Sequence, residues 1–123
     1  MKNSNFYILS GALWGLLSVA LGAVGTHVLK SILSTTQMEW IHTGVQYQIF
    51  HSLVLVSIGS WSLNSRLKAW TAVFFNIGIL LFSVSLYLLA FTGNKVFAWF
   101  TPFGGISLIS AWILLVLCAY RGK

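Results

Sequence analysis

The chain has 123 residues, of which 58% are hydrophobic and 7% charged, with a formal net charge of +6. So few charges cannot cover a water-facing surface, since soluble domains carry about 25% charged residues, and the solvent implied is lipid. The length allows one compact bundle, residues 1–123, and no second domain. The basic residues lie at chain ends and short connections and form no basic face, which excludes a nucleic-acid partner and leaves membrane lipids. The single cysteine, Cys118, excludes an intrachain disulfide and reads as a buried thiol in an apolar run.

The first predicted span covers residues 6–29. It is too long for a signal-peptide core and ends at Lys30 rather than at a processing site. Gly11, Gly15, Ser18, Gly22 and Gly25 recur along it at steps of four, three, four and three. Small residues in that register make a groove down one helix face, where another backbone can pack closely. The first helix is therefore expected at the centre of the bundle.

The connection from Ser31 to Glu39 is polar. Thr36 and Glu39 have the spacing of a capping box, which gives the only acidic residue a local role. A second span is expected over 37–61, with Trp40 at the interface. A third covers 69–92, after a connection holding Asn64, Ser65 and Arg66, and Gly93 is its C-cap. The aromatic stretch from Val96 to Phe100 is placed in the interface. Thr101 as N-cap and Pro102 as first helical residue open a fourth span over 102–120. The expectation is an all-α membrane protein, a bundle of four transmembrane helices. Lys2, Arg66, Lys68, Arg121 and Lys123 fall on one side and Lys30 and Lys95 on the other, so both termini are expected in the cytoplasm.

Several stretches resemble a known family. They are Leu21 to His27 (LGAVGTH), Trp40 to His51 (WIHTGVQYQIFH), Phe82 to Tyr87 (FSVSLY) and Thr101 to Gly105 (TPFGG). Together they are similar to domain-of-unknown-function family 423, small bacterial inner-membrane proteins with eukaryotic relatives, over nearly the whole chain. The family usually has glycine where this chain has Val84, which bears on close packing in the third span. The resemblance implies four spans and residence in the bacterial cytoplasmic membrane. It supplies no activity and no catalytic residues.

Polar residues concentrate in the second span. Counting about 1.5 Å per helical residue from Trp40, His42 lies about 3 Å deep, Gln46 about 9 Å and His51 about 16 Å, near the midplane. His27, Tyr87 and Ser83 fall about 5, 8 and 14 Å deep from the ends of their own spans. Gly104 and Gly105 are shallow and suited to helix packing. His51, Tyr47, Gln48 and Gly44 share one face of the second span, with Gln46 and His42 on the adjacent face. This predicts a polar pocket that opens to the non-cytoplasmic side and gathers His27, Gly44, Gln46, Tyr47, Gln48, His51, Ser83 and Tyr87. The inner half is nearly bare of polar side chains, Asn76 excepted.

A midplane histidine is a functional candidate by default, with an interhelical hydrogen bond as the alternative, and Gln46, Tyr47 and Gln48 read as ties between helices. A bis-histidine haem would need two imidazoles at matched depth, and His27 and His51 differ by about 10 Å by the same helical rise. Zinc would need three or four convergent ligands, but Cys118 lies at the opposite face and Glu39 is assigned to a cap. No cofactor, no metal and no enzyme are therefore expected, for want of a second carboxylate or an activated nucleophile. Two functions remain. One is binding or passage of a small solute or a proton through the pocket, switched by His51. The other is a non-catalytic accessory or scaffolding role, as a homo-oligomer or within a larger membrane complex, assembled through the glycine-rich face.

Overall fold

A computed structural model describes residues 2–62 and 65–122. Asn64, Lys123 and the Lys2 side chain, on which parts of the sequence reading draw, lie outside the described residues. Among the described residues the regular structure is all helical. Helix α1 spans Lys2–His27, a 3-10 turn covers Leu29–Ser31, and α2 spans Thr35–Ser60. Helix α3, Arg66–Ile79, runs through a π-helical turn, Leu80–Val84, into α4, Ser85–Thr92. A 3-10 turn, Lys95–Trp99, leads into α5, Phe100–Arg121.

Among the described residues three stretches are long and apolar enough to cross a membrane: Ser4–His27, Arg66–Thr92 and Lys95–Arg121. Helix α2 has comparable length, at 26 residues, but carries Gln37, Glu39, His42, Gln46, Gln48 and His51 and is not among them.

Two antiparallel hairpins build the bundle, α1 with α2 and the α3–α4 helix with α5. Helix α2 joins them through contacts with α3, the π turn and α4, while α1 packs almost wholly on α2. The central helix is thus α2, not α1 as the glycine pattern suggested. The glycine groove exists, and α2 fills it. A Cβ on Gly11 would stand 2.7 Å from the Ser52 carbonyl oxygen, and Gly15, Gly22 and Gly25 face Ser52, Val45 and Ile41. Ser18 is buried, its hydroxyl bonded to the Trp14 carbonyl. That face is used within the chain, so it is not the surface for assembly that the sequence suggested.

The apolar core joins Tyr7, Leu55, Ile58, Phe75, Ile79 and Leu108, with Ala72 and Ala111 where helices approach closely. It fills the half nearer the termini. There the Lys68 ammonium, 6% exposed, donates to the Trp61 carbonyl at 2.7 Å and lies 5.5 Å from the Tyr7 ring centroid. Trp61 is the C-cap of α2, so the cation meets the negative end of that helix. Lys68, counted from the sequence among the orienting charges, is thus buried at the helix end.

The caps differ from expectation at two helices. The capping box of α2 is Ser34 with Gln37: the Ser34 hydroxyl accepts from the Gln37 N–H, and the Gln37 side chain accepts from the Ser34 N–H. Thr36 and Glu39 already lie inside the helix, where neither can cap its start. Ser34 wins because its extended backbone (φ −66°, ψ 165°) comes first, and Gln37 then sits at N3. Helix α5 begins at Phe100 with no side-chain cap, because the preceding 3-10 turn feeds directly into it. Pro102 is its third residue, within the first turn, where a missing N–H costs nothing. The Thr101 hydroxyl instead bonds Ser85 at 2.7 Å. Gly93 ends α4 as expected, with φ +67° and its N–H on the Leu89 carbonyl.

Candidate functional site

His51 lies on the inward face of α2, 6% exposed, against Phe75 and Trp112 at ring-centroid distances of 5.5 and 6.0 Å. The Trp112 indole N–H donates to His51 Nε2 at 3.1 Å. An indole can only donate, so Nε2 is the unprotonated nitrogen. The proton then sits on Nδ1, which donates to the Tyr47 carbonyl one turn back. His51 is neutral in this arrangement and both ring nitrogens are engaged.

Gln48, on the same face, turns toward α1 and α4. Its amide N–H donates to the Trp14 carbonyl at 2.9 Å, and its carbonyl accepts from the Tyr87 hydroxyl at 2.7 Å. Gly44 makes room for Tyr87, since a Cβ there would run into the Tyr87 ring. The Ser83 hydroxyl donates to the Gly44 carbonyl at 2.8 Å. Ser83 lies in the π turn, whose extra residue re-aims the following helix. The turn is seated by Gly104 of α5, where a Cβ would collide with the backbone of Leu81 and Phe82. Gly105 makes only ordinary contact with the Phe82 ring. A second tether runs from the Trp14 N–H to Asn76 at 2.9 Å, with the Asn76 amide donating to the Ala72 carbonyl. Among the described residues every buried side-chain nitrogen and oxygen has a partner.

These contacts divide the predicted pocket. Gly44, Gln48, Ser83 and Tyr87 form one bonded cluster beneath α1, and His51 pairs separately with α5. Beside each lies a groove at the flank of the bundle. The first, about 430 Å³, is lined by Gln46, Tyr47, Phe50, His51, Val54 and Trp112. The second, about 380 Å³, is bordered by Trp14, Leu17, Leu21, Gln48, Val84 and Tyr87 and is almost wholly apolar. Val84 is thus a wall of this groove rather than a point of close helix approach. His27 is exposed at the end of α1 and lines neither groove, because it sits at the helix terminus while His51 is mid-span. The single pocket opening at the outer end is therefore replaced by two grooves opening sideways.

Gln46 and Tyr47 are exposed at the first groove, Tyr47 at 42%, with its ring 4.4 Å from that of Phe82. Among the described residues neither the Gln46 amide nor the Tyr47 hydroxyl has a hydrogen-bond partner. Trp112 was missed at the sequence level, where it read as one more apolar residue. Its N–H was the available signal, because an indole in hydrocarbon needs an acceptor. No three His, Cys, Asp or Glu side chains converge among the described residues.

The comparisons with known proteins agree on family. Residues 21–105 match the model of a family described as a protein of unknown function (DUF423). The chain is 38% identical to the UPF0382 inner membrane protein YgdD of Escherichia coli K12, over 98% of this chain and 93% of that one. It is 39% identical to a UPF0382 membrane protein of Haemophilus influenzae, over 100% of this chain and 98% of the relative. It is 37% identical to the UPF0382 membrane protein YwdK of Bacillus subtilis, over 94% and 96%. No solved structure matches. With its long apolar helices and relatives that are inner-membrane proteins, the chain is a multi-pass inner-membrane protein that belongs to the DUF423 family.

Proposed function

We propose that this protein is a non-catalytic binding protein with four spans and cytoplasmic termini, whose His51 groove takes a small membrane-dissolved molecule that bears its own hydrogen-bonding group. One observation carries the proposal: the Gln46 amide and the Tyr47 hydroxyl border a groove of about 430 Å³ without a partner among the described residues. A polar group left unpaired in hydrocarbon costs about 1–3 kcal/mol or more. A ligand carrying a carbonyl or hydroxyl group supplies the missing partner, and Phe50, Val54 and Trp112 supply apolar walls.

Binding is favoured over passage. A hydrated path or proton relay would have to break the paired core, beginning with the Trp112–His51 bond. The fourth span is α2. At 26 residues it reaches about 39 Å, and its Gly44, Gln48 and His51 are buried against neighbouring helices, so they do not face lipid. Orientation follows from Arg66, Lys68 and Arg121 at the end that carries the termini, against Lys30 and Lys95 at the other.

The test is native mass spectrometry of the full chain released from nanodiscs formed directly from bacterial membranes. Wild-type protein is expected to carry a discrete small-molecule mass, and Val54→Trp, which fills the groove, is expected to lose it. Wild-type protein without bound mass, or equal retention by Val54→Trp, would contradict the proposal.

A further inference from the structure

A separate feature lies at the end of the bundle away from the termini. The turn after α1 and the first turns of α2 enclose a cavity of about 390 Å³, bordered by Gly25, Lys30, Leu33, Thr35, Met38 and His42. Its two halves differ in chemistry. Lys30, His42 and Thr35 are exposed, and among the described residues none of their side chains makes a hydrogen bond within the chain. Gly25 and Met38 are buried and, with Leu33, make an apolar floor. Glu39 is the only acidic residue in the chain and forms no ion pair with Lys30 or His42. The cavity therefore has a polar wall whose cation, Lys30, has no internal counter-ion.

Position narrows the ligand. The first membrane-spanning stretch ends at His27, three residues before Lys30, so the polar wall stands at headgroup depth. We propose that this cavity binds an anionic glycerophospholipid, with its phosphodiester against Lys30, His42 and Thr35 and its glycerol–acyl root along Leu33 and Met38. A free phosphate would use only the polar wall. The apolar floor needs a ligand whose charge and hydrocarbon belong to one molecule. A juxtamembrane Lys contributes a factor of about five in affinity for an anionic membrane surface, and here a cavity directs that attraction to one lipid.

The experiment uses the full chain in nanodiscs of phosphatidylglycerol and phosphatidylcholine in equal parts. Lipids retained on release are counted by native mass spectrometry. Wild-type protein is expected to retain phosphatidylglycerol preferentially. Lys30→Gln is expected to lower that preference about fivefold, and His42→Leu, which removes a hydrogen-bond donor from the wall, should lower it in the same direction, which keeps the test valid if one variant fails to fold. Lys95→Gln, at the same end but outside the cavity, is expected to behave as wild type. Undiminished preference in both cavity variants, or an equal loss in Lys95→Gln, would overturn the proposal. Displacement of the lipid by millimolar inorganic phosphate would overturn it in favour of a free-anion site.

Discussion

The Trp112 indole N–H donates to Nε2 of His51 across 3.1 Å and ties α5 to α2 at the floor of the first groove. The bond fixes the tautomer of His51 and, through Nδ1, uses the carbonyl of Tyr47 as well. Trp112→Phe keeps most of the apolar contact but leaves Nε2 without a donor. It is expected to cost about 0.6 kcal/mol, and at most about 1.7, the range for interhelical hydrogen bonds in lipid. Reversible unfolding in mixed micelles measures this.

The glycines of α1 predict a graded series. A Cβ on Gly11 meets the Ser52 carbonyl oxygen at 2.7 Å and the Val56 nitrogen at 2.9 Å, both backbone atoms that cannot turn aside. A Cβ on Gly22 meets only Val45 Cγ1, at 3.6 Å. Gly11→Ala is expected to destabilise the bundle by about 1–3 kcal/mol, and Gly22→Ala to stay within about 0.5 kcal/mol of wild type. Equal effects would show that α1 does not pack on α2 in this register.

Gly44 and Tyr87 form the third case. Gly44→Ala must displace the Tyr87 ring, and with it the 2.7 Å bond to Gln48. The expected cost is about 1–3 kcal/mol. In a Tyr87→Leu background the same substitution should cost clearly less, because no ring is left to displace. A double-mutant cycle reads the coupling directly, and additive effects would contradict the contact.

Gln46 separates stability from binding. On the proposal that α2 is the fourth span, the Gln46 amide faces hydrocarbon unpaired in a groove without ligand. Gln46→Leu should therefore raise the stability of ligand-free protein by about 1 kcal/mol or more. The same change should lower retention of the groove ligand. A destabilised variant would mean that Gln46 already has a structural partner in the membrane.

The legible parts of the sequence were those set by periodicity. The small residues of α1 and the shared face of Gly44, Tyr47, Gln48 and His51 followed from helical spacing; the first proved to be a packing face, and so did the second except at Tyr47, which is 42% exposed at the groove. What the small residues pack against was not legible, because spacing defines a face and not its partner. Overlapping signals misled at α2, where Ser34–Gln37 and Thr36–Glu39 both fit a capping box and the earlier one forms. The π turn left no mark, since Leu80 to Val84 contains neither glycine nor proline. Its determinant, Gly104, lies on another helix. Depth counting already set His27 shallow and His51 deep, yet the predicted pocket gathered both; His27 sits exposed at the end of α1 and lines neither groove.

The most direct test of the central claim is photo-crosslinking from the groove inside living membranes. A diazirine amino acid at Phe50, which lines the His51 groove, is compared with one at Leu53, which is exposed on α2 but outside the groove's lining. The expected result is a single small-molecule adduct of defined mass at Phe50, absent at Leu53 and lost when Val54→Trp fills the groove. Only bulk phospholipid adducts, at equal yield from both positions, would contradict a binding groove at His51.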